Sequence, residues 1–183
     1  ILREFFTYSV IGLANDPETL YSKCKDVKNR IAEISRYKLE LGTKTFREVM
    51  SEFCSAEASG HRICSLIAGD VVYGMAHDVP RPERSTGKLV KGSDIDLVII
   101  ADDDVPETSL EHLDKIVFQK KYRMLRDPSV NEELDYKIKH LRIVREQVSF
   151  DTFGRMVAIK ILNEGRLIGG DEDLFRAVKT TIH

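Results

Sequence analysis

A chain of 183 residues, 42% hydrophobic and 32% charged, can bury a core without staples and has the ordinary profile of a soluble globular protein. Its net charge of -2 supplies no global field for nucleic acid or acidic membranes, so any basic site must be local. Cys24, Cys54 and Cys64, odd in number and in no CxxC pair, argue against a disulfide framework and for reduced thiols in the cytoplasm. No apolar run nears the ~18 residues of a membrane span, and the opening ILREFF lacks the order of a secretory signal.

In chain order, residues 1–13 are apolar and are assigned to helix. Asp16-Pro17-Glu18 reads as a helix start: Asp16 can cap free amides, and Pro17 suits the first turn, where no donor is needed. Leu20, Cys24, Val27, Ile31, Ile34 and Leu41 form a helical stripe, read as core or as a homodimer seam, and Gly42 supplies a stop. Thr45 with Glu48 three residues on is a capping-box pair that opens a second helix toward Gly60. Val71-Val72-Tyr73, closed by Gly74, predicts a strand, and residues 78–91, with Pro80, Pro82 and Gly87, a loop. Ile95–Ile100 predicts a strand buried on both faces. Residues 107–126 carry Leu110, Leu113, Val117 and Met124 on one side of a helix that Pro128 stops. The helix ends in Lys120, Lys121, Arg123 and Arg126; such charges suit a helix C-terminus on dipole grounds, with an RNA contact as the alternative. Leu134–Ile138 alternates apolar with charged residues, a strand with one polar face. Phe153–Leu162 and the segment around Leu174, Phe175 and Val178 are helical. The order implies an α+β protein: a small mixed sheet with packed helices (residues 66–183) and an N-terminal helical segment (1–65).

The stretch GSDIDLVII places Asp94 and Asp96 at the mouth of an apolar strand. Side chains two apart share a face, so two carboxylates ~7 Å apart by strand rise can reach one cation or a close pair. Without a cation they repel and resist burial. Magnesium, which takes oxygen ligands from one or two carboxylates plus substrate phosphates, or manganese, fits that donor set. Aspartates also gather at strand starts as turn residues.

Val71-Val72-Tyr73-Gly74, a loop, and then Ser93-Asp94-Ile95-Asp96-Leu97 together resemble the nucleotidyltransferase superfamily, the fold of DNA polymerase β, kanamycin nucleotidyltransferase and the minimal nucleotidyltransferases. That signature is a hydrophobic residue, Gly, then Gly or Ser, a loop and a D-h-D strand, with a third carboxylate from a later strand. The resemblance spans about residues 65–170. It implies a sheet-based catalytic core binding two magnesium ions and a nucleoside triphosphate, with Asp94 and Asp96 as metal ligands and catalytic residues. Gly74, the residue after it and Ser93 would lie against the triphosphate. Met75 departs from the pattern, since it is bulky and donates no side-chain hydrogen bond. The connecting loop is also longer than usual and carries Arg81, Arg84, Lys88 and Lys91.

For the third carboxylate the resemblance leaves Asp135, in Leu134-Asp135-Tyr136, and Asp151, in Phe150-Asp151-Thr152. Asp135 is preferred, because Asp151 looks like the cap of the following helix. Lys137 shares the face of Asp135 and would contact phosphate, or else snorkel off an edge strand. The implied activity is transfer of a nucleoside monophosphate to an acceptor hydroxyl of a small molecule, protein or RNA, with release of pyrophosphate. Two other readings accompany it: an inactive fold used as a binding module, and another magnesium-dependent phosphoryl or glycosyl transferase. His61 and Cys64 have i, i+3 spacing, but no second pair completes a zinc site.

Overall fold

Helix α1 (Pro17–Ala56) begins where Asp16 accepts hydrogen bonds from Thr19 N (3.1 Å) and Thr19 Oγ1 (2.6 Å). The computed structural model describes residues 16–57 and 60–183, so the helix expected over 1–13 lies outside the described residues. The α1 helix runs for 40 residues and passes straight through Gly42, where the residue pattern predicts a stop. A Cβ there would stand 3.1 Å from Ile67 Cδ1 and 3.2 Å from Ile95 Cγ2, so the glycine serves close approach to the sheet instead of ending the helix. Its cost of about 1 kcal/mol within a helix is offset by the burial of Ile34, Phe46, Val49 and Phe53 on the same side. Thr45, expected to cap a second helix, is buried within the first, its hydroxyl 3.6 Å from Met124 Sδ. The N-terminal part of the stripe stays out of the core: Cys24 is exposed and Val27 is 52% exposed.

Strand β1 (Ile63–Ala68) is buried along its whole length. A single turn of helix follows, α2 (Asp70–Tyr73). The strand expected at Val71–Tyr73 is this turn. Gly69 at φ 71° and Gly74 at φ 64° redirect the backbone on either side, and the valines fill one helical turn between them. The expected loop over 78–91 contains a hairpin, β2 (Pro80–Pro82) with β3 (Leu89–Lys91). Its turn is organised by Glu83, whose carboxylate accepts from the amides and hydroxyls of Ser85 and Thr86 and is held down to about 2 by those bonds.

Then come β4 (Ile95–Ala101), α3 (Glu107–Arg126), β5 (Leu134–His140), α4 (Leu141–Gln147), α5 (Phe153–Glu164), β6 (Arg166–Gly170) and α6 (Glu172–Ile182). Thr152 caps α5 by accepting from Arg155 N at 3.3 Å, and Asp171 caps α6 by accepting from Leu174 N at 2.7 Å. The sheet order is β5-β4-β1-β6, with β1 antiparallel to β4 and β6, and β4 parallel to β5. One face, carrying Ile63, Ile67, Ile95, Leu97, Ile99 and Leu134, packs against α1 and α3. The other, carrying Cys64, Leu66, Val98 and Ile100, packs against α4, α5 and α6. The result is an α+β fold with six helices, a four-stranded mixed sheet and a two-stranded ribbon among the described residues. None of the described helices is long and apolar enough to cross a membrane.

Candidate functional site

Asp96 is the one acidic residue within β4, at its second position, and it is half-buried. The parallel ladder sets Asp96 directly beside Asp135 of β5, and the antiparallel ladder sets it beside Ala68, the last residue of β1. Neighbours in register share a face, with backbones about 4.8 Å apart. The row Ala68–Asp96–Asp135 therefore carries two carboxylates side by side, and Asp94 stands just before the strand. The α1 helix fixes the approach to β5 from below: the buried Lys38 ammonium pairs with buried Glu132 and donates to Lys91 O at 2.9 Å, pinning β3 and the residues that lead into Asp135.

Burial pushes the Asp96 carboxyl up to about 7, and the negative charges of Asp94, Asp135, Asp70 and Glu133 add to the shift. An acid with this environment lacks a counter-ion. Arg81, returned to the site by the β2–β3 hairpin, pairs instead with the acids beside it. Its Nε donates to Gly92 O at 2.5 Å, its Nη2 lies 3.4 Å from Asp94 Oδ2, and its Nη1 lies 2.7 Å from Glu133 Oε2. The last contact is an ion pair outside hydrogen-bond geometry, so the buried Glu133 Oε2 makes no hydrogen bond. Lys121 of α3 reaches Asp135 Oδ1 at 3.9 Å around the edge strand, with its ammonium 6.0 Å from the centre of the Tyr136 ring. No group of three or more His, Cys, Asp or Glu side chains among the described residues is arranged to hold a metal ion. In donor chemistry the set still suits a hard cation: it is all oxygen, and Asp96 is destabilised as an anion until positive charge arrives.

The residues expected against a triphosphate are dispersed. Gly74 is the left-handed C-cap of α2, with nothing within 4 Å of where its Cβ would be, and Met75 is 64% exposed. Ser93 is buried and committed internally: its hydroxyl donates to Asp70 Oδ2 at 2.7 Å and accepts from His77 N at 3.2 Å. Lys137, two residues beyond Asp135 and opposite Val98, is exposed on the same face as Asp135. Asp151 pairs with Arg155 at 2.7 Å, is not among the acids that raise Asp96, and yields the capping role to Thr152.

The glycine that meets Asp96 is Gly69. A Cβ on it would lie 2.5 Å from Asp96 Oδ2, and its φ of 71° favours glycine independently. Gly69 closes the apolar run Ile63–Ala68 as Gly74 closes Val71–Tyr73, so the signal was present one segment upstream. Arg81 and Glu133 carry no comparable signal, because only the hairpin and the Lys38–Glu132 pair bring them to Asp94. No family model and no curated protein sequence matches the chain.

Proposed function

We propose that the chain is a metal-dependent nucleotidyltransferase that moves a nucleoside monophosphate from a nucleoside triphosphate to an acceptor hydroxyl. The observation that carries this reading is the registered pair Asp96–Asp135, with Asp94 beside it and the Gly69 backbone against Asp96. Asp94, Asp96 and Asp135 would hold magnesium. When bound, magnesium supplies positive charge to the phosphates and makes the acceptor hydroxyl more acidic. Asp135, more exposed than Asp96 and bordered by Lys121, is the base: it takes the acceptor proton as the acceptor oxygen bonds to the α-phosphorus. The bond from that phosphorus to the bridging oxygen breaks, and pyrophosphate leaves. Lys137, on the face of Asp135, offers its ammonium to the triphosphate. Arg81, 3.4 Å from Asp94 Oδ2, competes with a bound cation for that carboxylate.

The Arg81–Asp94 pair favours a second reading, a nucleotidyltransferase fold that binds without turnover. One titration separates the two. Wild-type protein is titrated with ATP in the presence of manganese and compared with the Asp94→Asn, Asp96→Asn double variant, and released pyrophosphate is assayed. The transferase reading expects manganese-dependent binding that the double variant loses, with pyrophosphate as product. Equal binding by both proteins supports the scaffold, and release of inorganic phosphate or a nucleoside diphosphate points to a different transferase.

A further inference from the structure

We propose that the groove between α1 and α3 binds single-stranded nucleic acid. The groove has a volume of about 660 Å³ and is lined by Lys44 and Thr45 from α1 and by Lys120, Tyr122, Arg123 and Arg126 from α3, with Glu48 and Asp127 as its acids. Glu48 is paired with a cation, whereas Asp127 is held ionised by neutral donors. Glu48 pairs with Lys120 at 3.1 Å, and the Asp127 carboxylate accepts from Ser129 N at 2.9 Å and Ser129 Oγ at 2.6 Å. Lys44, Arg123 and Arg126 have no carboxylate partner among the described residues, in a chain whose net charge is -2. Four cations against two carboxylates thus leave a net charge of about +2 on one concavity of an otherwise slightly acidic molecule.

The helix dipole accounts for Arg123 and Arg126 in the last turn of α3, but not for Lys44, which sits well inside α1. Nor does it account for Tyr122, which is 45% exposed with the Arg126 guanidinium 4.7 Å from its ring centre. An exposed aromatic ring beside a guanidinium, in a groove of net positive charge, combines base stacking with backbone phosphate contacts, the recognition mode of single strands. A membrane surface cannot enter a concavity between two helices, and a duplex presents no unstacked base to Tyr122. The groove and the candidate carboxylates share the C-terminal end of α3, where Lys120 faces the groove and Lys121 faces Asp135. The proposal does not rest on the transferase reading, since none of its residues is a candidate metal ligand.

The test is fluorescence anisotropy with a labelled single-stranded RNA of about 12 nucleotides, a length within known site sizes, over a salt series from about 50 mM. The groove variant Lys44→Gln, Arg123→Gln, Arg126→Gln is compared with Lys23→Gln, Lys25→Gln, Lys28→Gln, which removes the same charge from the exposed start of α1. Wild type should bind. The groove variant should lose about tenfold or more, with a salt slope shallower by about 2 for three lost phosphate contacts, while the α1 variant stays within about twofold. The Asp94→Asn, Asp96→Asn variant should bind RNA like wild type, so loss of metal binding and loss of RNA binding are separable. No binding by wild type, equal losses in the two lysine and arginine variants, or full displacement by tripolyphosphate at the same phosphate concentration would overturn the proposal.

Discussion

At the scale of single residues, Asp96 carries the tension in the site. Its folded-state value of about 7 lies well above its ordinary 3.8. Between those values the folded protein holds a proton that the unfolded chain has released, so stability falls as pH rises through that window and stays reduced above it. A rise from 3.8 to about 7 corresponds to a few kcal/mol, at about 1.4 kcal/mol for each tenfold change in proton affinity. Asp96→Asn, which keeps the shape and removes the charge, should therefore raise the melting temperature by several degrees at pH 8 and change it little at pH 4. Thermal unfolding followed at both values checks this, and a variant no more stable than wild type at pH 8 would remove the case for an uncompensated acid. Gly69 is the other residue whose identity is dictated, since its φ of 71° favours glycine and any side chain there would enter the space of Asp96 Oδ2.

At the scale of elements, the buried Lys38–Glu132 pair links α1 to the chain entering β5. Lys38→Met would leave the Glu132 carboxylate buried without its partner, a change expected to cost about 3–5 kcal/mol. Lys38→Met with Glu132→Met should recover most of that loss, and denaturant melts of the single and double variants measure both. Strands β4 and β5 were legible in the sequence because an unbroken apolar run and a strict alternation leave few alternatives, and the aspartates came with them. Helices α3, α5 and α6 announced themselves by periodicity and stop signals. Strand β1 and the turn α2 were not legible: Ile63–Ala68 and Val71–Tyr73 are both short apolar runs ending in glycine, and only pairing with β4 decides which is the strand. Gly42 misled for a related reason, because a stop and a close helix–sheet contact both call for glycine. Arg81 at Asp94 depended on tertiary closure of the hairpin, which no local pattern encodes.

At the scale of the whole molecule, three strand ends meet in one place. Strand β1 finishes where β4 and β5 begin, and the row they form carries the acids, while helices cover both sheet faces beyond it. The cationic groove runs between α1 and α3 and nears the row at the C-terminal end of α3, where Lys120 faces the groove and Lys121 faces Asp135. The central claim is that this row is a cation site that Arg81 guards through Asp94. Its most direct test is anomalous diffraction from crystals soaked in manganese and a non-hydrolysable nucleoside triphosphate. The account predicts an anomalous peak in contact with Asp96 and Asp135, with Asp94 turned toward it and released from Arg81. A structure with no peak at that row, with Arg81 still paired to Asp94, would contradict it.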